Sequence, residues 1–194
     1  MKTQATKQNP ATIVASLEKA YGLKVLPRSG WLQARIPAEG VESIASHSYG
    51  MSLLLLYLAP ELSEQGLDVD RALRMALIHD LAESITGDRT PEDGVSPMDK
   101  YAEESAALDH ILFEMDNRSE LRDLWEEFET GETQEAQLVR RMDKLDMLVQ
   151  AFLYEKKYKT RLDPFWEGMA SLFENSESEG IFNYLLNNRT KLES

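Results

Sequence analysis

Two histidines and two aspartates lie inside apolar stretches of the sequence, where polar side chains need partners. His47 occurs in SIASHSYGMSLLLLYL, His79 and Asp80 occur in RALRMALIHDLAESI, and Asp143 occurs in AQLVRRMDKLDMLVQAF. An unpaired polar group buried in such surroundings costs about 1–3 kcal/mol, so each residue is expected to have a partner. Two imidazoles and two carboxylates suit Mn, Fe, Co, Ni or Zn better than Mg or Ca. Together these residues predict a site for a divalent transition metal.

Each of these residues has an ordinary role when it is considered alone. A single histidine on an apolar helix is usually a hydrogen-bonded core residue. Asp143 is close to Arg141 and Lys144, which are typical neighbours of a solvated or ion-paired carboxylate. The adjacent pair His79–Asp80 is more specific, because neighbouring helical residues diverge by about 100° and both meet one ligand only near the axis of a bundle.

Two further carboxylates follow this pair. Glu83 is four residues after His79 and three after Asp80, so its carboxylate is expected to share their helical face and pocket. Asp88 follows Gly87, at the mouth of the pocket where this helix is predicted to end.

The elements that position these residues are predicted to be helices, because the chain has helical apolar spacing without a strand pattern or a fixed repeat. The predicted fold class is all-α: a single domain over residues 1–194, with a metal-site core at about 41–157 and carboxyl-terminal helices at 163–189 that pack on it. The predicted helices cover about 13–21, closed by Gly22; 42 or 43 to 58, stopped by Pro60; 68 or 70 to 86; 97–115; 119–130; 133–157; 164–174; and 178–188, with a long loop at 23–40.

Composition limits the classes of partner and cofactor. The 194 residues carry 21 Lys and Arg against 34 Asp and Glu, a net charge of −13 that opposes binding of long nucleic acid or an anionic membrane. The chain has no cysteine, which excludes disulfides, thiolate metal sites and cysteine nucleophiles. Its longest apolar run, 51–59, is far shorter than the roughly 20 residues of a membrane helix. The amino terminus lacks the pattern of a secretory signal, so we expect a cytoplasmic protein.

The ordered set of His47, His79–Asp80 and Asp143 resembles the metal-binding pattern of the HD-domain metal-dependent phosphohydrolase superfamily. The resemblance is closer to its 5′-deoxynucleotidase branch. It rests on the strings LPRSGWL, VESIASHSYGM, RALRMALIHDLAESITGD, LWEEFE and RMDKLDMLVQAFLYE, which cover most of positions 23–157.

The resemblance implies a role for each matching residue. It makes Glu83 the catalytic glutamate beside Asp80, acting as a general acid or base on the attacking water. Alternatively, Glu83 and Asp88 hold a second ion such as Mg, or Asp88 faces the sugar hydroxyl of the substrate. The implied ligands of the first ion are His47, His79, Asp80 and Asp143, and the implied nucleotide pocket contains Arg28 and Trp31.

Arg35, in the same loop as Arg28, is a further candidate for binding phosphate, with a plain surface charge as the alternative. The family usually has an acidic residue immediately before the first histidine, and this chain has Ser46, which affects the tuning of that ligand. Glu104 falls where the family has a carboxylate, but no physical role follows from its position. His110 matches no motif and is expected to be structural.

The expected activity is release of phosphate from deoxynucleoside 5′-monophosphates. The alternatives are an HD hydrolase of phosphodiesters or signalling nucleotides and a catalytically silent protein that binds metal or nucleotide. Relatives of this branch are commonly dimers, and a homodimer is expected. Large apolar residues near the carboxyl terminus, Phe165, Trp166, Leu172 and Phe173, are candidates for its interface or for completing the monomer core.

Overall fold

The computed structural model describes residues 8–189, and this part of the chain is helical without a β-strand, as the all-α prediction required. The α-helices are α1 (Pro10–Ala20), α2 (Ser29–Gln33), α3 (Ile44–Glu64), α4 (Val69–Ile78), α5 (Glu83–Thr86), α6 (Pro97–Ile111), α7 (Arg118–Thr130), α8 (Gln134–Tyr158), α9 (Ala170–Phe173) and α10 (Glu179–Asn187). Short 3₁₀ turns cover Tyr21–Lys24, Ala38–Gly40, Pro91–Asp93 and Asp163–Phe165.

The main core lies between α3, α4 and α8, which pack against one another. Apolar side chains recur along α3 and α8 at helical spacing, and fully buried examples are Leu55 and Leu62 on α3 and Leu138 and Leu145 on α8. This packing turns the polar residues of the three helices toward a common interior. A second, smaller core joins the end of α4 to α6 and α7 through Ile78, Leu108, Ile111 and Trp125.

The helix predicted from 68 or 70 to 86 is continuous only as far as Ile78. It begins as predicted, because the Asp68 side chain accepts a hydrogen bond from the Arg71 backbone N. After Ile78 the chain tightens: Leu81 N donates to Ile78 O and Glu83 N donates to Asp80 O, both at 3.0 Å. These are bonds of 3₁₀ type, which within a helix often mark a functional hinge or local strain. The predicted single helix was therefore wrong, and α5 is separate.

Two predicted helix ends were also wrong. Pro60 does not stop α3, which continues to Glu64, because Leu62 is fully buried and anchors the last turn in the core. Gly22 does not close α1 with a left-handed residue, since a 3₁₀ turn follows the helix directly. A Cβ at Gly22 would lie 3.3 Å from Ser84 O, so a close approach of the backbone explains this glycine.

The loop predicted over 23–40 contains α2 and is fixed to the start of α3. Arg28 N donates to Glu42 O at 3.1 Å and Ile44 N donates to Leu26 O at 3.0 Å. The Tyr154 hydroxyl of α8 accepts from Glu42 N at 2.8 Å and donates to the Gly40 carbonyl at 3.0 Å. The segment that carries Arg28 and Trp31 is thereby held against α3 and α8.

The helix predicted over 164–174 is interrupted, because Gly168 has a φ of 74° and separates the 3₁₀ turn from α9. The helices predicted over 119–130, 133–157 and 178–188 correspond to α7, α8 and α10, and α10 packs on α8. The helix predicted over 97–115 is α6, which ends earlier than predicted, at Ile111. The predicted domain covers residues 1–194, of which 1–7 and 190–194 lie outside the described residues. The prediction that the amino terminus is not a secretory signal also falls partly on residues 1–7. Within 8–189, no helix has the length and apolarity needed to cross a membrane.

Candidate metal centre

Three of the predicted ligands meet where α3, the end of α4 and α8 converge. One donor atom each from His47, His79 and Asp143 lies within 4.8 Å of the others. Asp80 joins this group through His79, since its Oδ2 lies 3.0 Å from His79 Nε2. The tight turn after Ile78 allows these two adjacent side chains to point into one pocket.

Both histidines present an unpaired nitrogen to this pocket. His79 Nδ1 donates to the Ala76 carbonyl at 2.9 Å, which leaves the lone pair on Nε2. The Nε2 atoms of His47 and His79 are buried and have no hydrogen-bond partner among the described residues. His47 Nε2 instead faces Asp143 Oδ1 at 3.1 Å. Buried imidazole nitrogens beside carboxylate oxygens fit a divalent cation, since such groups are otherwise costly to leave unpaired.

In the pocket, neighbouring side chains of opposite charge shift one another's pKa values in favour of the charged forms. Burial and nearby Arg28 lower the pKa of His47, but contacts with Asp143 and Asp146 outweigh them and raise it to about 9. Burial raises the pKa of Asp80, whereas the attraction of His79 and other nearby positive groups lowers it to about 2. Burial also opposes the charge on Asp143, but contact with His47 and the charge of Lys144 keep its pKa well below the ordinary value.

Glu83 is buried next to this group at the start of α5. Burial, reinforced by the carboxylates of Asp80 and Asp88, raises the pKa of Glu83 to about 10. Lys100 of α6 partly offsets this effect, and Lys100 Nζ lies 3.4 Å from the buried Glu104 Oε1. Glu83 is therefore a protonated carboxyl in the metal-free protein, and Glu104 belongs to its electrostatic surroundings.

A cavity of about 630 Å³ opens beside the metal-competent group, within the size range of small-molecule sites. Arg28 lines it, and the guanidinium interacts electrostatically with Asp143, Asp80 and Asp88. Lys144 also lines the cavity and forms an ion pair with Asp143 Oδ2 at 2.9 Å. Arg89 also lines the cavity, so three cationic side chains stand against the two carboxylates of Asp88 and Glu92, a local excess of positive charge in an acidic chain.

Trp31 forms part of the cavity wall but is almost fully buried. Its Nε1 donates to Glu42 Oε1 at 2.8 Å, and its ring stacks on Phe165 with centroids 4.4 Å apart. Phe165 is half-buried and lines the same cavity. The indole is thus fixed in place, and the pair makes a rigid aromatic wall.

Of the other residues that the sequence analysis considered, Asp88 lies at the cavity, and Arg35 and His110 do not. Asp88 lines the cavity, and its carboxylate accepts from Ser29 N at the start of α2 while Ser29 Oγ donates to Asp88 O at 2.9 Å. Arg35 is exposed, has a φ of 62°, and does not line the cavity. His110 is exposed on α6 and is not part of the metal-competent groups of the described residues.

Sequence reasoning missed three residues of this region: Asp146, Lys144 and Phe165. The first two lie beside Asp143 on α8, and their spacing from it is the one signal that indicated them. Phe165 comes from a 3₁₀ turn distant in sequence, and no local pattern marks it as a cavity residue.

A helical bundle that brings one histidine, an adjacent His–Asp pair and a further aspartate to a single pocket defines the class of HD-domain proteins, which are metal-dependent phosphohydrolases. The family model for the HD domain matches residues 20–181. The chain belongs to this family.

Named relatives are similar over most of the chain. The 5′-deoxynucleotidase HDDC2 of Xenopus laevis is 36% identical over 159 residues, covering 80% of this chain and 76% of the relative. The 5′-deoxynucleotidase HDDC2 of Danio rerio is 36% identical over 173 residues, covering 87% and 84%. A solved structure, described as a conserved hypothetical protein from Pyrococcus furiosus, has a TM-score of 0.76 and 34% identity over 90% of this chain and 99% of that chain.

Proposed function

We propose that this protein is a divalent-metal-dependent 5′-deoxynucleotidase that releases phosphate from deoxynucleoside 5′-monophosphates. The observation that carries the proposal is the pair of buried, unpartnered Nε2 atoms of His47 and His79, which lie beside carboxylates and next to a positively lined cavity. The similarity to relatives named 5′-deoxynucleotidases supports the substrate class.

The first metal ion would be held by His47, His79, Asp80 and Asp143. The mixed nitrogen and oxygen donors favour Mn, Co, Fe, Ni or Zn. Glu83 and Asp88 would hold a second ion such as Mg, as an alternative to their direct roles. A bound divalent ion supplies positive charge to the phosphoryl group and lowers the pKa of water, which makes hydrolysis possible at neutral pH.

Glu83 is proposed to hold and move the proton of the reaction. An oxygen of water forms a bond to phosphorus, and the ester bond to the 5′ oxygen of the sugar breaks. The leaving oxygen takes the proton of Glu83, and the attacking water gives up a proton that restores it. In the metal-free protein, burial and the carboxylates of Asp80 and Asp88 raise the pKa of Glu83, so this carboxyl can hold a proton at neutral pH, as the transfer requires. Asp80, with its pKa lowered to about 2, stays ionised and assists as a metal ligand.

The other residues are proposed to bind and orient the nucleotide. The planar guanidinium of Arg28 suits phosphate oxygens, and Lys144 adds charge on the same wall. The Trp31 and Phe165 wall offers an aromatic surface to the base. Asp88 faces the cavity and accepts from the sugar hydroxyl. Arg35 stays a candidate for phosphate binding from the sequence alone.

A panel of substrates tests the proposal against the alternatives. Purified protein loaded with Mn or Co is expected to release phosphate from deoxynucleoside 5′-monophosphates faster than from ribonucleotides. Selective hydrolysis of cyclic dinucleotides or guanosine polyphosphates would replace the proposal with a signalling-nucleotide hydrolase. Metal binding without hydrolysis of any substrate would identify a catalytically silent protein.

A homodimer is proposed as the assembly. Of the carboxyl-terminal candidates, Trp166 and Phe173 are buried within the chain and complete the core, whereas Leu172 is 39% exposed. Large exposed apolar side chains also lie on α3, where Tyr49, Leu56 and Tyr57 are more than half exposed. Light scattering is expected to give twice the chain mass of 22.1 kDa, and a single chain mass at micromolar concentration would contradict the dimer. The predicted cytoplasmic location is tested by fractionation.

A further inference from the structure

The imidazole of His47 is fully buried and has a different carboxylate near each nitrogen. Its Nδ1 lies 2.7 Å from Asp146 Oδ2, at hydrogen-bond distance. Its Nε2 lies 3.1 Å from Asp143 Oδ1, on the side of the metal-competent group. A neutral imidazole carries one N–H and one lone pair, so a proton on Nδ1 leaves the lone pair on Nε2. Asp146 therefore selects the form of His47 that can bind a metal ion.

Ser46, the neighbour of His47 in the sequence, does not supply this contact. The Ser46 hydroxyl lies 3.0 Å from the Ser43 hydroxyl, and Ser46 N donates to Ser43 Oγ at 3.2 Å. Ser43 is the N-cap of α3, so Ser46 serves the start of the helix. The acceptor for His47 comes instead from Asp146 of α8.

Gly50 leaves the space that Asp146 occupies. It lies three residues after His47 on α3, on the same helical face. A Cβ at position 50 would lie 2.1 Å from Asp146 Oδ1 and 2.9 Å from its Cγ, so any side chain there would displace the carboxylate. The absence of a Cβ at this position is a second observation that points to the same contact.

We propose that Asp146 is a positioning residue of the metal centre, which holds His47 as the Nδ1–H tautomer and aims Nε2 at the ion. His79 is held in the same tautomer by a neutral acceptor, the Ala76 carbonyl. A carboxylate acceptor makes the imidazole a stronger donor to the metal than a carbonyl does, and loss of such partners typically weakens metal affinity 10- to 100-fold. The inference rests on the proposed metal centre but not on the identity of the substrate.

The test is a titration of metal-stripped protein with Co²⁺ in the absence of nucleotide, followed by visible absorption. Asp146→Ala is expected to weaken Co²⁺ affinity 10- to 100-fold and to shift the absorption bands of the bound ion. Asp146→Asn, which keeps an oxygen acceptor without the charge, is expected to lose less. Gly50→Ala is expected to reproduce the Asp146→Ala effect with Asp146 still present, so the inference remains testable if Asp146→Ala does not fold.

Two matched variants separate positioning from general damage. Glu155→Gln removes another fully buried carboxylate of α8, which accepts from Leu162 N and the Arg189 guanidinium. Gly180→Ala adds a Cβ to a helical glycine with nothing within 4 Å. Both are expected to keep wild-type Co²⁺ affinity and spectrum.

Wild-type affinity and spectrum in Asp146→Ala would overturn the inference, as would an equal loss in Glu155→Gln. A wild-type protein that binds Co²⁺ but hydrolyses no nucleotide would overturn the proposed function alone. If the wild-type protein bound no Co²⁺, both the metal centre and the role of Asp146 would be wrong.

Discussion

The buried position of Glu83 suits its proposed role in proton transfer but lowers the free energy of unfolding. Burial and the carboxylates of Asp80 and Asp88 raise its pKa from 4.5 to about 10. Because the folded pKa exceeds the unfolded one, the free energy of unfolding falls as the pH rises between these two values. Between pH 4.5 and about 10, folding of the metal-free protein is coupled to uptake of a proton by Glu83.

Glu83→Gln removes this titration. In metal-free protein its melting temperature is expected to exceed that of wild type by an amount that grows with pH from 4.5 to about 10. Each pH unit contributes at most about 1.4 kcal/mol, which is roughly 3–5 °C for a chain of this size. Turnover is expected to fall by about 10² to 10⁴ while the first metal ion still binds.

The measurements are thermal melts from pH 4 to 9 and steady-state kinetics of the metal-loaded protein. Glu18→Gln, on the exposed side of α1, is the control and is expected to change neither. A difference in melting temperature that is constant with pH would contradict the buried, protonated state of Glu83, and wild-type turnover would remove its proposed role.

His47 predicts a second pH effect. Burial and Arg28 disfavour its charged form, but Asp143 and Asp146 raise its pKa to about 9. A metal ion binds only the neutral imidazole, so binding displaces a proton and the affinity falls about tenfold for each pH unit below 9. Calorimetric titration with Co²⁺ is expected to show about a 100-fold weaker affinity at pH 6 than at pH 8, with proton release. An affinity independent of pH would contradict this account.

The sequence identified the candidate ligands because polar residues in apolar helices are conspicuous, whatever the details of packing. It did not identify Asp146. Asp143 stands out from the same charged segment, RRMDKLDM, through its place in the ordered pattern with His47 and His79–Asp80, and Asp146 has no such match. The role of Asp146 depends on how closely α8 approaches Gly50 of α3, which is a property of packing.

At the scale of elements, N-cap residues and apolar spacing predict most of the helices. The predictions that were wrong concern single turns and helix ends. The apolar pattern continues through 79–82, so the sequence does not reveal that the backbone changes there from α-type to 3₁₀-type bonds. Pro60 is tolerated because tertiary burial of Leu62 outweighs the loss of one backbone hydrogen bond.

The carboxyl-terminal 3₁₀ turn completes the proposed nucleotide pocket by placing Phe165 against Trp31. Phe165→Ala is expected to raise KM for deoxynucleoside monophosphates about tenfold, since stacking of a base on an aromatic side chain contributes about 1–3 kcal/mol. Deoxyribose 5-phosphate has no base, so its hydrolysis is expected to change little. Phe113→Ala, at an exposed phenylalanine, is the control. Equal loss on both substrates would show that Phe165 supports the pocket without contacting the base.

At the scale of the whole molecule, the metal centre joins three packed helices. A divalent ion bound by α3, the end of α4 and α8 binds the folded chain in preference to the unfolded one. At a free metal concentration 100 times Kd this adds about 2.7 kcal/mol to the free energy of unfolding, or roughly 5–10 °C in melting temperature. Thermal melts with and without Mn²⁺ measure this shift. His79→Ala is expected to abolish it, and a full shift in that variant would place the ion elsewhere.

The net charge of −13 predicts that the chain disfavours long anionic partners. Binding of the proposed nucleotide depends instead on local charge, since Arg28, Arg89 and Lys144 line the cavity together with Asp88 and Glu92. The resemblance indicated Arg28 and Asp88, whereas no local pattern in the sequence places the other three residues at this cavity.

Phosphate release from deoxynucleoside 5′-monophosphates by stripped and reloaded protein tests the central claim most directly. The account predicts no release after chelation, recovery with Mn²⁺ or Co²⁺, and no recovery in His79→Ala. The contrary result would be release that persists in the stripped protein or in His79→Ala, or a reloaded wild-type protein that binds one metal ion per chain and leaves every deoxynucleoside monophosphate intact.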